Sequence, residues 1–204
     1  MFSLFIKNKN YDIILIKWKV VLIMGSRGIY GLYKNGVDKV TYSHGNSYPK
    51  DLGVYIVNFI KTNSIQELNQ IFYKIILVDE ETEPTKEQIE ECKKYFDDKF
   101  NKDYINNWYY LLRKSQSILE PYKEDLKYMI DSKDFLKSSL YCEWGYIINL
   151  DSNELEIYRG FQKELSDNRF KIDKSDNYGY YNCKLLKSVP LNEVTEELMN
   201  NIEY

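Results

Sequence analysis

The chain has 204 residues, 44% hydrophobic and 29% charged, enough apolar material for one globular domain, or at most two small ones, and too much for a disordered chain. Its 28 basic and 31 acidic residues leave a net charge of -3, which argues against a protein that coats bulk nucleic acid, so any anion must be met locally. Cysteines at 92, 142 and 183, with no CxxC pair, suggest neither a disulfide framework nor a zinc site and point to a reducing, cytoplasmic setting.

Residues 1–23 are apolar enough to suggest a signal or an anchor, but Lys17 and Lys19 break the run. The uncharged stretches fall short of the ~20 residues that span a bilayer, so no membrane partner is expected. Ile14, Ile16, Trp18 and Val20 alternate as one face of a strand would. Back-translation of residues 18–21 as TGG AAG GTG GT resembles a bacterial ribosome-binding sequence. Translation is therefore expected to start at Met24, with 1–23 a non-native or accessory extension and 24–204 a single α+β domain.

Residues 28–33 and 37–42, rich in aromatic and β-branched side chains and separated by Lys34, Asn35 and Gly36, predict a β-hairpin, because Asn-Gly accepts the positive φ of a tight turn. A loop follows over 45–53, with Asp51 placed to cap a helix whose face is Val54, Ile56, Val57, Phe59 and Ile60. Ser64 and Glu67 match a capping box for a second helix. An acidic linker covers 79–84, and Thr85 is expected to cap a helix to about Phe100. The ten acids and five lysines of 79–103 read as a solvated face. Further helices are predicted at 104–119, 121–131 and 133–141.

The period then changes. Residues 144–150 and 155–161 alternate around 151–154 as a second hairpin, 180–189 reads as a strand stopped by Pro190, and 191–201 as a closing helix with Asn192 or Thr195 near its start. The fold class is α+β: an antiparallel sheet built from N- and C-terminal hairpins with a helical middle.

Chemistry concentrates in residues 24–53, which hold the sole histidine, His44, and a net positive charge in an acidic protein. Gly25, Ser26, Arg27 and Gly28 would let backbone amides approach a phosphate or carboxylate, with Arg27 supplying a bidentate fork. Tyr30, Tyr42 and Tyr48 offer stacking faces, and His44 and Ser47 complete the candidate ligand-binding set. The plainer reading is that the glycines relieve strand crowding and the tyrosines form a half-buried sheet face.

The opening MGSRG (24–28), the loop YSHGNSYPKDLG (42–53), the hairpin CEWGYIINLDSNELEIYRGF (142–161) and the strand KLLKSVPL (184–191) resemble a family of uncharacterised proteins of bacteria and their phages. That family opens MG, Ser or Thr, RG, and carries a loop like YNHFDSYPSGLG. By position Arg27, His44, Ser47, Tyr48, Pro49 and Gly53 match it, whereas Asn46 stands where the family often has Asp. The resemblance covers both ends of the chain, implies Met24 as the start, and brings no established activity.

Removal of Met24 would expose Gly25, which cannot serve as an N-terminal nucleophile. No GxSxG elbow, Walker A or GxGxxG motif is present, and one histidine with scattered acids gives no metal cluster, so neither metal nor cofactor is expected. The favoured function is a binding protein, phage-encoded and acting in the host cytoplasm, that sequesters a small anionic nucleotide-like ligand such as a host-defence second messenger. The alternatives are a metal-independent phosphodiester hydrolase with His44 as its catalytic residue, and a protein-protein inhibitor of a host factor acting through the acidic face. Homo-oligomerisation is left open.

Overall fold

The computed structural model describes residues 26–203; the expectations for residues 1–23, Met24 and Gly25 lie outside them. Strands β1 (Arg27–Lys34) and β2 (Val37–His44) pair antiparallel. Asn35 and Gly36 turn between them with φ of 49° and 76°, the two positive values whose twist matches that of the flanking strands.

A π-helical turn at Pro49–Gly53 runs directly into α1 (Val54–Thr62). Asp51 therefore sits inside the first turn instead of capping the helix, because Pro49, with no N–H to leave unpaired, can begin the turn earlier. Helix α2 (Ile65–Lys74) opens on the expected box: Ser64 Oγ accepts from Glu67 N, and Glu67 Oε2 accepts from Ser64 N at 2.8 Å.

Strand β3 (Ile76–Val78) follows, then α3 (Lys86–Cys92), capped by Thr85 in a second box with Gln88. The helix expected to reach Phe100 ends in a single 3-10 turn at Lys93–Tyr95. The three helices expected after it are broken into short pieces, including Lys102–Asn106, α4 (Trp108–Leu111), Arg113–Ser115 and α5 (Glu120–Lys123). Asn101 and Asn107 each cap a fresh start with their side-chain oxygens, local bonds that compete with continuing one helix. Ser117, at φ 68°, breaks the run again. Strand β4 (Tyr128–Ile130) then pairs parallel with β3, and a 3-10 turn covers Lys133–Lys137.

The second hairpin is β5 (Trp144–Asn149) and β6 (Glu154–Arg159). Strand β7 (Lys184–Pro190) starts later than expected, and α6 (Glu196–Asn200) begins only after Thr195 caps it. The five strands run in the order β2-β1-β5-β6-β7. Every pair is antiparallel except β1 and β5, which are parallel. The terminal hairpins thus share one sheet: β2 returns the chain to the end where β1 began, and residues 45–143 leave and re-enter the sheet at that same end before β5.

Alternation along the strands sorts the core. Tyr30, Leu32, Trp144, Tyr146 and Ile157 pack against the helical insertion, while Ile29, Val40, Ile147 and Tyr158 face Leu136, Cys142, Phe170 and Cys183. Both faces of the central strand β5 are covered, so residues 144–148 are all buried and the alternation expected over 144–150 does not separate a wet face from a dry one. Among the described residues no helix is long and apolar enough to cross a membrane.

Candidate functional site

The first residue of β1 and the last of β2, Arg27 and His44, are cross-strand partners and so share a face with Tyr42, two residues before His44. The Tyr42 hydroxyl lies 3.1 Å from His44 Nδ1, and its ring meets Phe135 edge-on. The Arg27 guanidinium lies 5.3 Å from the centre of the Tyr141 ring. Its backbone N–H donates to Glu143 Oε1 at 3.4 Å.

A second guanidinium arrives from the insertion. Arg113 donates to the Tyr109 hydroxyl at 3.2 Å and to Gln116 Oε1, and lies over the Tyr109 ring. The segment that carries it is tied to the end of β2 by the Ser43 and Ser117 hydroxyls, 2.7 Å apart. Of the four arginines in the chain, Arg169 forms carboxylate ion pairs; among the described residues Arg27 and Arg113 have no acidic partner within ion-pair distance.

The charges act on the residues between them. Partial burial, then Arg113 and Arg27, hold the His44 imidazole below its ordinary value, since a cation is disfavoured beside cations. Burial, the largest cause, raises the Tyr42 hydroxyl, with Tyr109 adding to it and both arginines opposing it. At neutral pH the cluster is therefore two guanidiniums flanking a neutral imidazole and a neutral phenol.

Other residues expected at the site do different work. Gly28 is a packing junction: a Cβ there would stand 2.3 Å from the Trp144 carbonyl oxygen and 2.8 Å from Ser47 Cβ. Ser26 is buried, and its hydroxyl accepts from Ser47 N at 2.7 Å, anchoring the loop after β2. Ser47 is buried as well, its carbonyl accepting from the Tyr146 hydroxyl. Tyr30 belongs to the core, its hydroxyl donating to Ser115 O at 3.2 Å, and offers no stacking face. Tyr48 is half-buried; its carbonyl receives Asp51 N and Gly53 N, and its phenol bears on Arg159, which stacks on Trp144. Gly25, the first residue of the expected cradle, lies outside the described residues; among those described, Arg27, Tyr42, His44, Tyr109, Arg113 and Tyr141 form the candidate cluster at this strand end.

That constellation stands at an open strand end, with Arg27 and His44 exposed. Clefts of about 260 and 390 Å³ lie elsewhere, the first between Leu165 and Lys184, the second among Glu80, Glu83 and Asp103. No family model, curated protein or solved structure matches the chain.

Proposed function

We propose that this is a binding protein for a small anionic, nucleotide-like ligand, held where β1, β2 and the Arg113–Ser115 turn meet. One observation carries the reading: Arg27 is the cross-strand partner of His44, the Ser43–Ser117 contact ties the segment of Arg113 to the same strand end, and no carboxylate among the described residues pairs with either guanidinium. Two uncompensated guanidiniums so placed repel one another, a cost that an arriving anion removes. Tyr141 and Tyr109 hold the forks from behind, and the exposed aromatic surface beside them can take a base or a sugar. The resemblance to a bacterial and phage family supports the sharper form, sequestration of a nucleotide messenger of host defence in the host cytoplasm.

The test is incubation with a panel of cyclic nucleotides and ADP-ribose derivatives, followed by release on heating and mass measurement. Recovery of an intact ligand, abolished by Arg27→Ala and by Arg113→Ala, is the expected result. Unchanged affinity in both variants would overturn the site.

A second reading, hydrolysis, is favoured by the neutral imidazole of His44, whose Nδ1 faces the Tyr42 hydroxyl while Nε2 is left for a proton transfer. It requires that the released ligand carry an altered mass and that His44→Gln restore the intact one.

A further inference from the structure

The charge count at the strand end says more about the ligand than its sign alone, and the inference rests on the reading above. Two guanidiniums come to this strand end from different elements: Arg27 on β1, the cross-strand partner of His44 and backed by Tyr141, and Arg113 from the insertion segment that Ser117 ties to Ser43, backed by Tyr109. Between them His44 is exposed, tethered through Nδ1 to Tyr42. Glu143 also stands at this end, where its Oε1 is engaged by the backbone N–H of Arg27.

A phosphodiester brings one negative charge, which compensates one guanidinium and leaves the other in excess. A terminal phosphate carries about -2 at neutral pH and presents three equivalent acceptor oxygens, enough for both forks and one further donor. The imidazole can supply that donor if it takes a proton, and the obstacle to protonation is the pair of arginines that the dianion neutralises.

We propose that the site selects a phosphomonoester dianion over a phosphodiester, and that binding is coupled to proton uptake by His44. Arg27 and Arg113 each grip phosphate oxygens, and His44 donates from Nε2 once protonated, its Nδ1–H then donating to the Tyr42 oxygen. The groups that face His44 are Arg27 on β1, Tyr42 on β2 and, from the insertion, Arg113 with Tyr109 behind it. Bound ligand therefore raises the imidazole pKa, and affinity for a dianion strengthens as pH falls from 8 towards 7.

The experiment is calorimetric titration with 5′-AMP and with 3′,5′-cyclic AMP at pH 7.5, repeated in buffers of different ionisation enthalpy. At that pH the monoester is already a dianion, its second pKa being about 6, so a proton taken up belongs to the protein. The expected result is binding of 5′-AMP about tenfold tighter than the cyclic diester, as one more charge-assisted pair gives. It should be accompanied by uptake of a fraction of a proton that vanishes in His44→Gln, a variant that binds 5′-AMP more weakly, with its preference over the cyclic diester reduced. Equal or tighter binding of the cyclic diester, or proton uptake that survives His44→Gln, overturns the inference and leaves the binding reading standing. Absence of heat with both nucleotides overturns the inference, and only when the panel above also yields no recovered ligand does the binding reading fall with it.

Discussion

Arg169 reaches from the long connection after β6 to Asp38 near the start of β2, its Nη2 2.9 Å from Oδ1. The same guanidinium holds Glu156 Oε2 on β6 at 2.6 Å, and Tyr158 and Asn149 donate to the two oxygens of that carboxylate. The planar fork lies over Tyr33 and Phe170. One cation thus fastens the covering loop to both hairpins.

Replacing it with methionine keeps the stem and leaves two largely buried carboxylates, 11% and 8% exposed at the side chain, facing each other without an ion-pair partner. Arg169→Met is expected to lose about 3–5 kcal/mol of stability in urea unfolding. Burial already lifts the Asp38 carboxyl above its ordinary value, against the pull of Arg169, and removing the cation lifts it further. A group whose folded pKa exceeds its unfolded one contributes stability that is lost as pH rises through the folded value. The deficit of the variant should therefore be smaller at pH 5 than at pH 7. A deficit that does not change with pH would mean that Arg169 acts by packing alone.

Gly28 allows β1 and β5 to meet. Since a Cβ would stand 2.3 Å from a backbone oxygen that belongs to the neighbouring strand, Gly28→Ala must push the parallel pair apart or shift the Ser47 loop. A loss of about 1–3 kcal/mol is expected, with weaker ligand binding because Arg27 moves with the strand. An alanine variant as stable as the parent protein would show that the pairing of β1 with β5 is looser than its register implies.

What could be read from the sequence was local. The Asn35-Gly36 turn, the capping box at Ser64, the cap at Thr85 and the hairpin around 151–154 each depend on residues a few positions apart, and the fold keeps all of them. The parallel pairing of β3 with β4 was hidden because Ile76–Val78 and Tyr128–Ile130 are too short to carry a period, and each is stabilised by a partner about fifty residues away. At the site, Arg27, Tyr42 and His44 were visible as a charged strand end with an aromatic neighbour. Tyr30 was misassigned because an alternating tyrosine looks the same whether its face meets ligand or core. Arg113 was missed because it lies in an aromatic stretch with no motif. Composition held a signal, however: only four of the 28 basic residues are arginine, at 27, 113, 159 and 169. In a lysine-rich chain these mark places where a planar fork is needed, and each of the four stacks on an aromatic ring.

The cap of α2 makes a prediction that separates side-chain charge from backbone geometry. The backbone N–H of Ser64, together with Lys123, holds the Glu67 carboxyl at about 2, below its ordinary 4.5. A depressed carboxyl contributes stability that is complete above the unfolded value and lost as pH falls towards the folded one. Glu67→Gln keeps the capping bond to Ser64 N but not the charge, so its unfolding midpoint should converge on that of the parent protein between pH 4.5 and pH 2. Curves that stay parallel over that range would assign the helix start to the Ser64 hydroxyl alone.

The sole histidine provides a direct readout of the two guanidiniums, since its imidazole resonance needs no assignment. In the free protein His44 should titrate below 6.5, held down by partial burial and by Arg113 and Arg27. The fold then disfavours the protonated ring, so stability falls as pH drops through the unfolded value towards the folded one. Arg27→Ala and Arg113→Ala should each move the midpoint upward, and the double variant further than either, because each change removes one repelling charge. Added salt should move the parent protein in the same direction by screening both arginines. Arg27→Ala should be less stable than the parent by no more than about 0.5 kcal/mol, since Arg27 is exposed and forms no ion pair, whereas Arg113→Ala also loses the part-buried bonds to Tyr109 and Gln116 and should cost more. If the midpoint stays fixed in both single variants, the guanidiniums do not share a field at His44, and the strand end is not a single anion site.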